Sequence, residues 1–293
     1  MMLKEALSAA ECVALQLEHD GDRYAELGRT LRNTAFSTAL TIARGSSDHA
    51  CAYAAYLIMA RLGRVVASLP MSLVTLNKSP LITKDTLAIA ISQSGQSPDV
   101  VEPMRYFRDG GATTIALVND IGSPLAQAAE WSLPLRAGKE QSVAATKSFI
   151  TSLVAGARLV AHWQDDAELK NALEALPESL RTAAAIDWSP AIDVLAPARN
   201  IMVVGRGISF PIALEAALKF KETSALQAEA FSGAEIKHGP MALIEEGYPL
   251  VIFATRGATQ ASLLALATEM RGRGARVLLA APADVAERDL TLP

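Results

Sequence analysis

Apolar residues fall in short, nearly unbroken runs separated by longer stretches of helical spacing. Five runs occupy the first half: FSTALTIAR (36–44), RVVASLP (64–70), DTLAIAIS (85–92), TTIALVN (113–119) and WSLPLRA (131–137). Three more follow, NIMVVGR (200–206), PLVIFATR (249–256) and RVLLAA (276–281), with a short LTLP at the end. Runs without polar alternation mark strands covered on both faces, as in a parallel sheet between helix layers. SSDHACAYAAYLIMARLG, PDVVEPMRYFRDGG and PIALEAALKFKETSAL carry helical spacing and good helix formers. Strand and helix alternate along the whole chain, which predicts a doubly wound α/β architecture.

The pattern repeats. Arg44-Gly45-x-Ser47 returns as Arg206-Gly207-x-Ser209, 162 residues later, and TLAIAISQSG ending at Gly95 returns as PLVIFATRG ending at Gly257 with the same offset. Gly111-Ala112-Thr113 is matched by Gly274-Ala275-Arg276 at 163. Resemblance among all parallel βα units does not by itself hold an offset fixed across loops. The chain therefore reads as an N-terminal helical segment (1–34), a first α/β half (35–165), a helical linker (166–198) and a second half (199–293) related to the first by duplication.

Composition narrows the classes. With 293 residues, 51% hydrophobic and 20% charged, the chain is globular. A net charge of −4 without a long basic run argues against nucleic-acid and anionic-membrane partners. Cys12 and Cys51 are too few for a disulfide framework or a Cys-rich zinc site, and read as core residues in a reducing compartment. The N-terminus, MMLKEALSAAECVALQLEHD, carries acids early, unlike a signal peptide. No uncharged apolar run approaches the ~18 residues of a membrane span. A cytoplasmic protein is expected.

The sharpest local signal is ISQSGQS (91–97), at a strand end and just before Pro98. Strand, Ser/Gly turn and Pro together start a helix. Ser92, Gln93, Ser94 and Ser97, with backbone N–H groups at that helix start, form a candidate phosphate cradle that needs no cation. Arg44-Gly45-Ser46-Ser47 offers the same arrangement on a neighbouring strand. Helix capping is the alternative for any single serine. Neither loop is GxGxxG, GxxxxGK[ST] or GxSxG, so dinucleotide, triphosphate and hydrolase-elbow readings are disfavoured.

Glu215, Lys219 and Glu222 stand at i, i+4 and i+7 of PIALEAALKFKE and share a helix face. That spacing equally suits a solvated ion-pair face. His238, between Gly-flanked positions and Pro240, is a candidate functional histidine. His19 and His162 read as surface or packing residues, and His49 as a support near Ser46-Ser47. No histidine pair has metal-ligand spacing, and neither a metal nor a cofactor is expected. A carboxylate and a histidine beside a sugar phosphate suit aldose–ketose chemistry. One base moves a proton between C1 and C2, and a Glu buried among apolar neighbours, its pKa raised, fits that task. A neutral His can open the ring.

These motifs resemble the sugar isomerase (SIS) domain family, in particular the isomerase half of glucosamine-6-phosphate synthase and stand-alone phosphosugar isomerases and glucosamine-6-phosphate deaminases. The resemblance runs from about Ala43 to Pro293 and rests on ARGSSDHA, SQSGQSPD, EQSVAATKSF (140–149) and GRG…PIALEAALKFKE…AEAFSGAEIKHGP. It implies two tandem doubly wound, flavodoxin-like halves. It implies that Gly45, Ser46, Ser47, Ser92, Gln93, Ser94 and Ser97 bind the phosphorylated sugar, and that Glu140 and Val143 line the sugar site through side chain and backbone. It makes Glu222 the proton-transfer base with Lys219 beside it, and His238 the ring-opening group, reaching across from a second subunit of a homodimer.

Two departures shape the expected reaction. Met1 leads directly into a helix feeding the first half, with no glutamine-hydrolysing domain, so ammonia is not expected to come from glutamine. The chain ends at Pro293, where the resemblance implies a further helix and a tail lysine. Arg44 replaces the synthase's Cys. The reaction expected first is glucosamine 6-phosphate to fructose 6-phosphate plus ammonia. An aminotransferase-like isomerase and a deglycase of phosphorylated sugar–amine adducts are the enzyme alternatives. A sugar-phosphate sensor is the alternative from another class, but it would need no Glu222/His238 pair and would usually carry a basic helix-turn-helix, which the sequence lacks.

Overall fold

The computed structural model describes residues 1–293. Two units divide the chain, Met1–Leu180 and Arg181–Pro293, and each is built on its own five-stranded parallel sheet.

In the first unit, helices α1 (Met2–Leu7), α2 (Ala9–Glu18) and α3 (Gly21–Asn33) precede the alternating part. That part runs β1 (Thr38–Ile42), α4 (Ser46–Leu62), β2 (Val66–Ser68), α5 (Ser72–Thr75), β3 (Thr86–Ser92), α6 (Pro98–Asp109), β4 (Thr113–Val118), α7 (Pro124–Ala128) and β5 (Trp131–Pro134). Helices α8 (Lys147–Gln164) and α9 (Ala167–Glu174) follow, and α10 (Leu176–Ala184) crosses the unit boundary. The sheet order is β2-β1-β3-β4-β5. Central β3 is buried from Thr86 to Ile91, which is why its sequence is an unbroken apolar run.

Helix α8 is the most enclosed helix of this unit. Small residues bring its neighbours close: a Cβ on Gly28 of α3 would lie 2.3 Å from the His162 carbonyl oxygen, and one on Gly156 would meet the Ala54 Cβ of α4 at 3.0 Å. Buried Arg158 crosses from α8 to the end of α2, donating to the Gln16 and Leu17 carbonyls. Its guanidinium lies 4.5 Å from the Tyr24 ring centre. A cation at the carbonyl end of a helix is placed where the helix dipole favours it.

The second unit runs α11 (Ile192–Leu195), β6 (Asn200–Gly205), α12 (Phe210–Ser224), β7 (Gln227–Ser232), β8 (Pro249–Phe253), α13 (Gln260–Gly272), β9 (Arg276–Pro282) and β10 (Leu290–Leu292). Its order, read β7-β6-β8-β9-β10, repeats that of the first sheet position by position. The chain is thus an α/β protein of two duplicated, doubly wound halves. Gln227–Ser232, not among the runs read as strands, is an edge strand whose small Ala residues and interleaved acid carry little strand signal. His238 closes a short 3-10 turn, Glu235–His238, and does not lie in open loop. No helix is long and apolar enough to cross a membrane.

Candidate active site

Strands β1 and β3 are adjacent at the centre of the first sheet, where the winding direction switches. In such sheets ligands bind at the carboxyl ends of the strands flanking the switch. The chain leaves β1 through Arg44 and Gly45 (φ +56) into α4, and leaves β3 through Gln93–Ser97 into α6. The structure therefore brings the two serine loops of the sequence to neighbouring strand ends, each followed at once by a helix N-terminus.

Within the β3 loop, the Gly95 N–H donates to Ser92 Oγ at 3.0 Å and the Gln96 N–H to Ser94 Oγ at 3.3 Å. Gly95 has φ +63, and a Cβ there would fall 2.2 Å from Ser123 Oγ, so the turn requires glycine. Ser97 is the N-cap of α6, yet its side chain makes no capping bond; its carbonyl takes the Val100 and Val101 amides at 3.0 Å each. Ser94 and Ser97 are exposed, and Ser46 and Ser47 half-buried in the first turn of α4. Arg44 reaches Asp99 of α6 at 3.4 Å. Asp48, in the first turn of α4, has its pKa raised by burial against the opposing pull of His49 and Arg44.

Beyond β5 the chain turns back along the same edge. The Asn119 side chain donates to the Gly138 carbonyl and accepts the Ala137 N–H, both at 2.8 Å. Leu15, Gln93, Asn119, Asp120, Arg136 and Lys139 line a cleft of about 650 Å³. Arg136 is held by Asp20 at 2.6 Å.

The carboxylate of Glu140, expected to line the sugar site, is engaged at the start of α8, accepting the Thr146 N–H (2.9 Å), the Thr146 hydroxyl (2.8 Å), the Ser148 N–H (3.3 Å) and the Ser148 hydroxyl. It acts as an anchor for the loop that carries Val143, a residue that is 100% exposed. A second anchor escaped the sequence reading. Glu5 of α1 accepts the Gln141 N–H at 2.6 Å and the Ser142 N–H at 3.2 Å. These amides hold the Glu5 carboxyl below the usual carboxylate range. An acid in a six-residue helix, bonded across 136 positions, leaves no motif to read.

In the second unit, Lys219 of α12 lies 3.1 Å from Glu215 and 2.5 Å from Glu222. The shared helix face inferred from spacing is real, but the burial falls differently. Glu215 is buried, whereas Glu222 is exposed, because the last turn of α12, from Lys221 onward, leaves the covered part of the helix. His238 is exposed at the end of its turn, followed by Gly239 (φ +142) and Pro240. Among the other histidines, His19 contacts the Leu15 carbonyl at 3.0 Å, and His162 is half-buried with its pKa pulled down to about 4, chiefly by burial. No group of three or more His, Cys, Asp or Glu side chains is gathered to hold a metal ion.

The SIS domain model matches residues 36–161 and 194–281 of the chain. The glutamine–fructose-6-phosphate aminotransferase [isomerizing] of Symbiobacterium thermophilum is 35% identical over 262 residues, covering 85% of this chain and 42% of that protein. The same enzyme of Thermus thermophilus is 35% identical over 265 residues, covering 86% and 44%. The chain thus spans about two-fifths of the length of the curated relatives it matches. Among solved structures, a protein of Silicibacter pomeroyi assigned to the phosphosugar isomerases superposes with a TM-score of 0.93 at 40% identity, covering 100% of this chain and 89% of that one. The C-terminal domain of glucosamine-fructose-6-phosphate aminotransferase from Francisella tularensis superposes with a TM-score of 0.78 at 25% identity, covering 99% and 87%.

Proposed function

The chain belongs to the SIS domain family, and we propose that it is an amino-sugar-phosphate isomerase and deaminase converting glucosamine 6-phosphate and water to fructose 6-phosphate and ammonia. The observation that carries this reading is the pair of serine loops at the β1 and β3 ends, with the Ser97 hydroxyl left out of helix capping. Two helix N-termini and neutral hydroxyls suit a phosphate dianion, which they bind by hydrogen bonds and dipole.

In this reading Ser46, Ser47, Ser92, Gln93, Ser94 and Ser97 hold the phosphate, with Gly45 letting the backbone approach it. Val143 presents loop backbone to the sugar, and Glu140 keeps that loop in place. His238 transfers the ring-oxygen proton as the pyranose opens. The Glu222 carboxylate then takes the proton from C2 of the open-chain aldehyde and returns it at C1. As the C2 amine gives up a proton to become an imine, the C1 oxygen gains one and becomes a hydroxyl, and water hydrolyses the imine to the ketone and ammonia. Lys219, bridged to two carboxylates, fixes the Glu222 rotamer and offsets the charge of Glu215.

A second reading, an isomerase of the aminotransferase type without ammonia release, is favoured by the names of the 35%-identical relatives. The two separate in one experiment. The chain is incubated with a panel of hexosamine 6-phosphates and hexose 6-phosphates, scoring free ammonia and ketose phosphate independently. Ammonia and ketose phosphate in equal amounts support deamination. Aldose–ketose exchange without ammonia supports the second reading. Neither product from any sugar overturns both.

A further inference from the structure

We propose that Glu5 is a positioning residue of the sugar-binding loop, so that the short N-terminal helix belongs to the substrate site. The inference rests on the reading above, in which the loop carrying Val143 presents its backbone to the sugar.

Helix α1 is inverted relative to an ordinary amphipathic helix. It buries its acid, Glu5, at 9% exposure, while Leu3 and Leu7 stand 72% and 49% exposed. Burying a carboxylate is unfavourable unless hydrogen-bond donors replace water. Here the donors are the consecutive backbone amides of Gln141 and Ser142, with the positive charge of Lys147 nearby. The Ser8 hydroxyl closes the helix onto the Glu5 carbonyl at 2.8 Å.

The loop so held begins at Lys139, which lines the cleft together with Gln93 of the phosphate cradle. Its far end is held by Glu140 through Thr146 and Ser148. Two carboxylates thus bracket a segment whose outermost residue, Val143, is wholly exposed. Fixing the Gln141 and Ser142 peptides sets the register in which the next peptides meet a ligand. A preordered loop binds without the entropic cost of ordering it.

The test compares Glu5→Gln with Ser94→Ala and the unmodified chain, measuring KM and kcat for glucosamine 6-phosphate and amide hydrogen exchange over residues 140–146. Glutamine keeps the shape and one acceptor but turns an NH2 group toward the second amide. Glu5→Gln is expected to raise KM roughly tenfold, with a smaller change in kcat, and to speed exchange at Gln141 and Ser142. The Tm of each variant separates loop release from general unfolding. If Ser94→Ala raises KM while Glu5→Gln lowers only Tm, Glu5 is structural and the proposal is overturned, with the cradle intact. If neither variant changes KM, the reading of the cradle fails and the role of Glu5 with it.

Discussion

A hydroxyl that accepts from a backbone amide keeps its own proton to donate, and Ser92 and Ser94 are both in that state. Ser94→Ala should therefore weaken binding of fructose 6-phosphate by about tenfold or more, the worth of a hydrogen bond to a charged group. Fructose itself should bind unchanged; calorimetric titration of both ligands checks this, and equal weakening would count against the cradle. On the proposed mechanism, Glu222→Gln removes the proton acceptor while keeping the shape. It should lower kcat by roughly two to four orders of magnitude and leave sugar-phosphate affinity within about threefold. The serine loop after β3 was legible in the sequence because all its parts are local: a strand end, Gly95, serines and Pro98. The burial of Glu215 over Glu222 was not, because helical spacing fixes which residues share a face and says nothing of where the helix passes beyond its cover. Glu5 escaped for a related reason. Its partners are backbone amides, which any sequence supplies.

At the level of elements, the central strands announced themselves because burial on both faces selects unbroken apolar runs, as in β3 and β8. Edge strand β7 carries Gln227 and Glu229 exposed around buried Ala228, a pattern too weak to distinguish from loop. Close helix contacts were equally hidden, since Gly28 shows its purpose only against the His162 carbonyl. That contact region has a measurable consequence. His162 has its pKa pulled down to about 4 from an ordinary 6.5, first by burial and then by Lys170, Arg158 and Arg32, against Asp165. The folded state therefore favours the neutral ring, and the unfolded chain binds the proton more readily. Its contribution is fully present above about pH 6.5 and is lost progressively as pH falls toward 4. The unfolding midpoint of the unmodified chain should drop across that window. In His162→Gln the drop should be shallower, by thermal unfolding at a series of pH values. Parallel curves for the two proteins would show that His162 does not carry the effect.

Across the whole chain, duplication has kept the scaffold in both units and the open hydroxyls in one. Ser209 repeats Ser47, but it is 1% exposed and its hydroxyl is engaged at the turn, accepting the Arg206 N–H at 3.0 Å and lying 3.2 Å from the Phe253 carbonyl. Thr255 and Arg256 stand where the first unit has Gln93 and Ser94. The repeat was legible as a fixed offset, and the closing of the second turn around Ser209 was not, because Ser in both places reads alike until its partners are known. The family resemblance further implies that His238 serves the active site of a second copy of the chain, and its exposure in the turn before Gly239 is compatible with that role. Mixing tests it directly. Glu222→Gln and His238→Ala chains should each be inactive alone. If each site of a homodimer takes Glu222 from one copy and His238 from the other, a mixed dimer contains one site with both residues intact and one with neither. Random reassociation of equal amounts should then restore about a quarter of the unmodified activity, in proportion to the mixed dimers formed. No recovery, with reassociation verified by mass spectrometry, would place His238 and Glu222 of each site on one chain.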